Sequence, residues 1–234
     1  MKSIREIAAD PNFVKGIYNY CDRWCEKCPF TSKCANFALN EDRFGDTENR
    51  DLNNKEFWNK LSGIFKETLE MIREDAERLK IDLDNLDKVE FQPMKDNENH
   101  YLIQLCLQYE KYAKAWFEEP VYIELESTKS KKIELADAFE IINWYMFFIG
   151  VKFRRALSVS PDDDEEFRFI ETNGTAKVAL IGIDRSLLSW NILVQHLPKS
   201  KYLLEIISIL SKIKLVAENQ FPNARNFIRP ALDE

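Results

Sequence analysis

Four of the five cysteines in this chain of 234 residues lie in one short stretch, YCDRWCEKCPFTSKC. The cysteines of this segment are Cys21, Cys25, Cys28 and Cys34. Their spacing is C-x3-C-x2-C-x5-C. On a helix the first three would share one face, whereas in a loop they would surround a common centre. Pro29 turns the chain directly after the third cysteine, and the five residues before Cys34 give that thiol room to return as a fourth ligand.

Four thiolates on so short a stretch repel one another unless a cation offsets their charge. Zinc takes four thiolates in a tetrahedron, and a [4Fe–4S] cluster is also held by four cysteines. No glycine lies between Gly16 and Gly45, although the turns of structural zinc sites commonly contain one. That absence and Pro29 favour the cluster, with Zn²⁺ as the alternative. Disulfides and inert apolar thiols are further alternatives, and a reducing compartment disfavours the disulfides.

Part of the spacing resembles a known iron–sulfur motif. The triplet Cys21, Cys25 and Cys28, as C-x3-C-x2-C, is similar to the cluster motif of radical S-adenosylmethionine enzymes. Cys25, Cys28 and Cys34 are similar to part of the auxiliary-cluster motif of some of those enzymes, without its following cysteine. The resemblance covers eight residues in the first case. It implies cluster ligands but not the activity, because the chain lacks the alternating strand–helix pattern of their barrel.

Aromatic residues flank the cysteines, namely Tyr20, Trp24 and Phe30. They could shield a cluster from water, or stack on nucleobases together with Arg23 and Lys27. The interpretation favoured here is that they pack the segment onto the rest of the protein. The fifth cysteine, Cys106, lies on an apolar helical stripe beside Leu105, which predicts a core thiol rather than a fifth ligand.

Two carboxylates fall at apolar positions of predicted helices. Glu140 lies between Ala136 and Trp144 in the helical register, and Asp184 lies among leucine and isoleucine residues. Such groups are costly to bury unless paired, so they are weak candidates for an acid–base pair or a metal site. The favoured expectation is pairing with a cation, for instance one of Arg154, Arg155 and Arg185. Neither of the two histidines follows a glutamate by three residues, as a di-iron bundle site would require.

The elements that would position these groups are helical. Six Gly and eight Pro among 234 residues are few chain breakers. Apolar residues recur at helical spacing in five long stretches. These predict helices from about Asn53 to Lys80, His100 to Pro120, Lys131 to Leu157, Thr175 to Leu197, and Ser200 to Asn219. The acidic run 162–166 predicts an exposed loop before the fourth of them, and residues 121–125 an extended connection.

These patterns predict an all-α protein, an antiparallel bundle of about five long helices preceded by a small cysteine-rich metal-binding segment. The predicted segments are residues 1–40 for the cysteine-rich part and 41–234 for the bundle. The third helix, from Lys131, has an almost wholly apolar middle and is expected at the bundle centre.

The formal net charge of −7 argues against binding of nucleic acid. No signal peptide or membrane span is visible, so a soluble, cytoplasmic protein is expected. The primary hypothesis is a metalloprotein with a structural or electron-transfer centre. The alternatives are a zinc-stabilised module that binds an unidentified protein partner, and an enzyme that uses Glu140 and Asp184.

Overall fold

The computed structural model describes residues 3–45, 51–83, 97–119, 133–197 and 200–233. Within these ranges the protein is all-helical, as the sequence predicts, with seven α-helices and no strand. The helices are α1 (Ile4–Ala9), α2 (Ala35–Phe44), α3 (Lys55–Leu79), α4 (Tyr101–Phe117), α5 (Ile133–Leu157), α6 (Glu165–His196) and α7 (Lys201–Gln220). Short 3-10 helices that lie wholly within the described residues are found at Cys25–Lys27, Thr31–Lys33 and Ala224–Asn226.

The chain forms two compact units that are not contiguous in sequence. The first unit takes residues 1–18 and 25–93, and the second takes 19–24 and 94–234. Residue 40, at which the sequence patterns placed a boundary, lies inside α2. The cysteine-rich segment is itself divided, because Cys21 belongs to the second unit and the next three cysteines to the first.

The second unit is built from α4, α5, α6 and α7 around one apolar core. α5 packs along α6, α4 contacts both α5 and α7, and α6 contacts α7. The apolar stripe predicted for α4 is confirmed, since Leu102, Leu105, Cys106, Tyr109, Ala113 and Trp116 are all buried. The stripe of α7 is buried at Leu203, Ile206, Leu210 and Ile213. α5 is less central than its composition predicts, because Phe147 and Val151 are exposed.

The longest helix begins earlier than predicted. α6 starts at Glu165 rather than near Thr175, so the prediction of an exposed loop through the acidic run is wrong in its second half. Asp164 caps the helix by accepting the backbone N–H of Phe167 at 2.8 Å. Glu165 and Glu166 occupy the first turn, where the helix dipole stabilises negative charge. Carboxylates that repel one another in a loop therefore favour a helix start here.

The first unit contains α1, α2 and α3, and ion pairs join these helices. Glu67 on α3 accepts the Ile4 backbone N–H at 2.8 Å and a guanidinium N–H of Arg43 at 2.6 Å. The apolar stripe of α3 was predicted to face a bundle of five helices. Instead α3 belongs to the first unit, and part of the stripe is exposed at Trp58, Phe65, Leu69 and Ile72.

Three predictions lie outside the described residues. They are the helix start at Lys131, the helix stop at Pro120 and the extended connection at 121–125. Among the described helices, none combines the length and the apolar character needed to cross a lipid bilayer.

Candidate metal centre

The cysteine segment begins with a buried tyrosine in the second unit. The Tyr20 hydroxyl donates to Glu171 Oε2 at 3.3 Å, and its ring meets the ring of Phe227 edge-on with centroids 5.1 Å apart. Burial, followed by the nearby Glu171 carboxylate, raises the pKa of Tyr20 to about 12. Glu171 in turn accepts Arg155 Nε–H. Tyr20, the residue before Cys21, is therefore held against α6.

Asp22 forms a second attachment, one residue after Cys21. Its Oδ2 accepts Arg185 Nη1 at 2.7 Å and also the Tyr145 hydroxyl. Its backbone carbonyl accepts Trp144 Nε1–H at 3.1 Å. Burial, then the hydrogen bond to Asp22, raises the pKa of Tyr145, which therefore stays a neutral donor. Side chains from α5 and α6 thus bind both the carboxylate and the backbone at this position.

The next two residues complete the turn. The backbone of Arg23 has a φ of 60°, in the left-handed region that residues other than glycine seldom adopt. Trp24 stacks on Trp144 with an interplanar angle of 13° and centroids 5.1 Å apart. The favoured interpretation of the flanking aromatics, that they pack the segment onto the protein, is therefore confirmed for Tyr20 and Trp24.

Cys21 interacts electrostatically with one buried cation, Lys152. Lys152 is buried, and its pKa is lowered first by that burial and then by the charges of Arg155 and Arg23. Cys21 and Glu171 act on Lys152 in the opposite direction. A buried cation beside a cysteine is compatible with a thiolate-ligated centre of net negative charge.

In the first unit the motif continues through two tight turns. The Cys28 backbone N–H donates to the Cys25 carbonyl at 3.1 Å, which closes the C-x2-C turn. The Cys28 sulfur accepts the Phe30 backbone N–H at 3.4 Å, with Pro29 between them. Hydrogen bonds from backbone N–H groups to cysteine sulfur are among the interactions by which proteins tune metal–thiolate centres.

Cys34 is the N-cap of α2. Its sulfur accepts the backbone N–H of Phe37 at 3.4 Å, and its own N–H donates to the Thr31 carbonyl at 3.2 Å. The Lys33 carbonyl accepts the Val14 N–H at 3.0 Å, which ties this turn to the start of the chain. The positive end of the helix dipole therefore lies at the Cys34 sulfur.

The donor chemistry fits a thiolate-bound metal, but the side chains are not assembled around a centre. In the part of the chain that the structure describes, no group of three or more His, Cys, Asp or Glu side chains is arranged to hold a metal ion. The convergence of four sulfurs that the spacing predicts is therefore not found. None of the five cysteines, all of which are described, forms a disulfide.

The carboxylate candidates do not form an acid–base site. Glu140 is exposed, so the prediction that it lies on a buried apolar face is wrong. Asp184 Oδ2 accepts Arg225 Nη1 at 2.6 Å, and Lys214 Nζ lies 2.8 Å from Oδ1. Burial acts to raise the pKa of Asp184, but hydrogen bonds from these two cations hold it below its ordinary value. The cationic partners differ from those named from the sequence, because Asp184 is paired across α7 and the C-terminal turn.

Cys106 is a core thiol, as its position on the α4 stripe predicts. It is buried among the residues of α4–α7. Burial, with a smaller contribution from Glu110, raises its pKa to about 12, so it stays protonated. It is therefore a suitable control in experiments on the other four cysteines.

Sequence reasoning missed Asp22 and Arg43 as organising residues. Asp22 stands between two predicted ligands, and a charged residue inside a ligand motif was the available signal. Arg43 gave no such signal, because it follows a polar stretch and its burial depends on Glu67, 24 positions later.

Searches of protein-family models, of curated proteins and of solved structures find no match to this chain.

Proposed function

We propose that this protein is a metalloprotein whose cysteine segment binds a [4Fe–4S] cluster or a zinc ion through Cys21, Cys25, Cys28 and Cys34. The single observation that carries the proposal is the placement of four thiols at positions 21–34 in a chain with only one other cysteine. The centre serves a structural or electron-transfer role in a cytoplasmic protein, because reduced thiols persist in that compartment.

Local interactions at three of the four positions suit a sulfur that binds a metal. Backbone N–H groups donate to the sulfurs of Cys28 and Cys34. Lys152, a buried lysine, interacts electrostatically with Cys21. The short helices Cys25–Lys27 and Thr31–Lys33 contain no buried residue, so this segment has little apolar packing of its own. A metal that draws the sulfurs together would supply folding free energy where packing does not.

A zinc-stabilised interaction module is the second candidate. The observation that favours it is the exposed apolar stripe of α3, which lies in the same unit as three of the cysteines. Exposed apolar residues at helical spacing are typical of a face that a partner protein covers. In this case zinc fixes the cysteine turns, and α3 binds the partner.

Anaerobic purification with metal analysis tests the proposal. The full chain is produced with iron and zinc supplied, and iron, sulfide and zinc are measured per chain together with the visible spectrum. The matched variants are Cys28→Ser, inside the motif, and Cys106→Ala, in the core. We expect stoichiometric metal in the parent chain and in Cys106→Ala, and loss of it in Cys28→Ser.

The same experiment separates the two candidates. Broad visible absorption with iron and sulfide in equal amounts identifies a cluster, and a colourless protein with one zinc per chain identifies the zinc centre. A chain that takes up neither metal, or a Cys28→Ser variant that retains full metal content, contradicts the proposal.

A further inference from the structure

A cavity of about 240 Å³ lies within the first unit. Its walls come from α1, the turn at Cys25, α2 and α3. The lining residues are Ile4, Cys25, Asn36, Phe37, Leu39, Asn40, Arg43, Phe44 and Ile64. Five of the nine are apolar and four are polar, and a mixture of apolar walls with a few polar groups is found in small-molecule sites. A cavity of about 150 Å³ holds a benzene-sized molecule, so this one has room for a ring with a short substituent.

Arg43 is the polar residue of this wall that calls for a ligand. Its side chain is only 3% exposed, and one terminal nitrogen, Nη2, donates to Glu67 Oε2 at 2.6 Å. The Nε atom is buried and has no hydrogen-bond acceptor among the residues that the structure describes. A buried donor without an acceptor is unfavourable, and native proteins usually satisfy it with a protein group, a water molecule or a ligand.

Local charge restricts the kind of ligand. Glu67 already neutralises the Arg43 guanidinium, and the lining amides of Asn36 and Asn40 carry no formal charge. An anionic ligand would therefore place a second negative charge beside Glu67 without a second cation among the described lining residues. An uncharged acceptor would satisfy Nε–H without that repulsion.

We propose that this cavity binds an uncharged small molecule with an apolar, ring-sized body and one hydrogen-bond acceptor, which receives Arg43 Nε–H. The apolar body contacts Phe37, Leu39 and Ile64, and a carbonyl oxygen is the simplest acceptor of this kind. The inference stands on Arg43 and the cavity. It does not depend on metal binding by Cys25, which forms only part of the wall.

Titration with acetanilide tests this inference on the full chain. Acetanilide has one aromatic ring and one amide carbonyl and carries no charge, and phenylacetate is the matched anionic probe of the same size. The readout is the Nε–Hε resonance of Arg43 in a ¹H–¹⁵N spectrum, together with the backbone amides of α2. We expect saturable shifts with acetanilide, with a dissociation constant on the order of 1 mM for so small a ligand. Phenylacetate should bind more weakly.

Two variants locate the site. Arg43→Lys keeps a cation to pair with Glu67 but removes Nε–H, and it should weaken acetanilide binding roughly 2- to 10-fold, as expected for one neutral hydrogen bond. Leu39→Trp should fill the cavity and abolish the α2 shifts. Leu188→Trp, at an exposed position of α6, makes the same chemical change elsewhere and should bind acetanilide like the parent chain. Well-dispersed α3 amide resonances show that each variant is folded.

Three results would overturn the inference. The first is the absence of any saturable shift in Arg43 or α2 with acetanilide, which would mean that solvent alone satisfies Nε. The second is equal binding by Leu39→Trp and the parent chain, which would place the probe elsewhere. The third is tighter binding of phenylacetate than of acetanilide, which would assign the site to anions.

Discussion

The Tyr20 ring packs directly against the backbone of Gly174 in α6. A Cβ placed on Gly174 would lie 2.6 Å from Tyr20 Cδ1 and 2.9 Å from Phe227 Cε1, far inside van der Waals contact. The absence of a side chain at this point lets the residue preceding Cys21 enter the second unit. One glycine in the first third of a 32-residue helix therefore leaves room for the start of the cysteine segment.

Gly174→Ala should expel Tyr20 or shift Phe227, because the added methyl group has no space. We expect a loss of about 1–3 kcal/mol in the free energy of unfolding, measured by urea denaturation. Gly63→Ala is the matched control, since no atom lies within 4 Å of a Cβ placed there. That change should stabilise α3 by about 0.5–1 kcal/mol. Equal effects at the two glycines would contradict the assigned contact.

Cys34 allows capping to be separated from metal binding. Cys34→Ser keeps a side-chain acceptor for the Phe37 N–H, so α2 should stay intact while metal content falls. Cys34→Ala should lose the metal and also the cap, at a further cost of about 0.5–1 kcal/mol. Hydrogen exchange of the α2 amides reports the loss of the cap, and metal analysis reports the loss of the ligand. Full metal content in Cys34→Ser would exclude Cys34 as a ligand.

Glu67→Gln should loosen the first unit. The substitution leaves the buried Arg43 guanidinium without its carboxylate, at a cost of about 2 kcal/mol after allowing for the partial exposure of Glu67. Faster hydrogen exchange of the α3 amides is the expected signal. Glu70→Gln, at an exposed position of the same helix, is the control and should leave exchange unchanged.

The same carboxylate predicts acid sensitivity. The hydrogen bond from the Ile4 backbone, and then that from Arg43, lower the pKa of Glu67 from its ordinary value of 4.5. A lowered folded-state pKa stabilises the protein above pH 4.5, and this contribution is lost as pH falls through the folded value. In the parent chain the α3 amides should therefore lose protection from hydrogen exchange as the pH falls below 4.5. The Glu67→Gln variant should show a smaller loss of protection over the same pH range. Identical pH profiles would contradict the role of Glu67.

Stability should also fall at alkaline pH. Burial raises the pKa of Cys106 from 9.0, and those of Tyr20 and Tyr109 from 10.0, to about 12 each. The unfolded chain releases these protons first, so each such proton costs about 1.4 kcal/mol per pH unit above the ordinary pKa. Urea unfolding should show a decline that begins near pH 9.0 and steepens above 10.0. In Cys106→Ala the decline should begin only near pH 10.0.

The helices of the second unit were predictable because periodicity and burial agree there. The stripes of α4 and α7 follow regular 3–4 spacing, and Cys106 was placed in the core on that basis alone. α6 was predicted to begin too late, since five like charges indicate a loop unless a helix dipole and the Asp164 cap are considered. Periodicity also could not show which compact unit a helix joins, and α3 lies in the first unit.

The cysteine segment was predictable in composition but not in its attachments. Spacing alone identified the four thiols. It could not reveal that Asp22 pairs with Arg185, which lies 163 residues later in the sequence. Likewise, Glu140 and Asp184 both occupy apolar positions in the sequence, yet one is exposed and the other is ion-paired. These outcomes depend on which helices become neighbours, and local pattern does not encode that choice.

The attachment of Asp22 has a consequence for synthesis on the ribosome. Its partner Arg185 follows 163 residues later, so at about 5–20 residues per second the ribosome needs roughly 10–30 s to make it. During that interval Cys21 has emerged, but the helices that hold its neighbours do not yet exist. The nascent Cys21 thiol is therefore exposed to oxidants and to other metal ions before the second unit can form around its neighbours. The order in which the residues leave the ribosome therefore affects which molecules the Cys21 thiol can react with before the protein has folded.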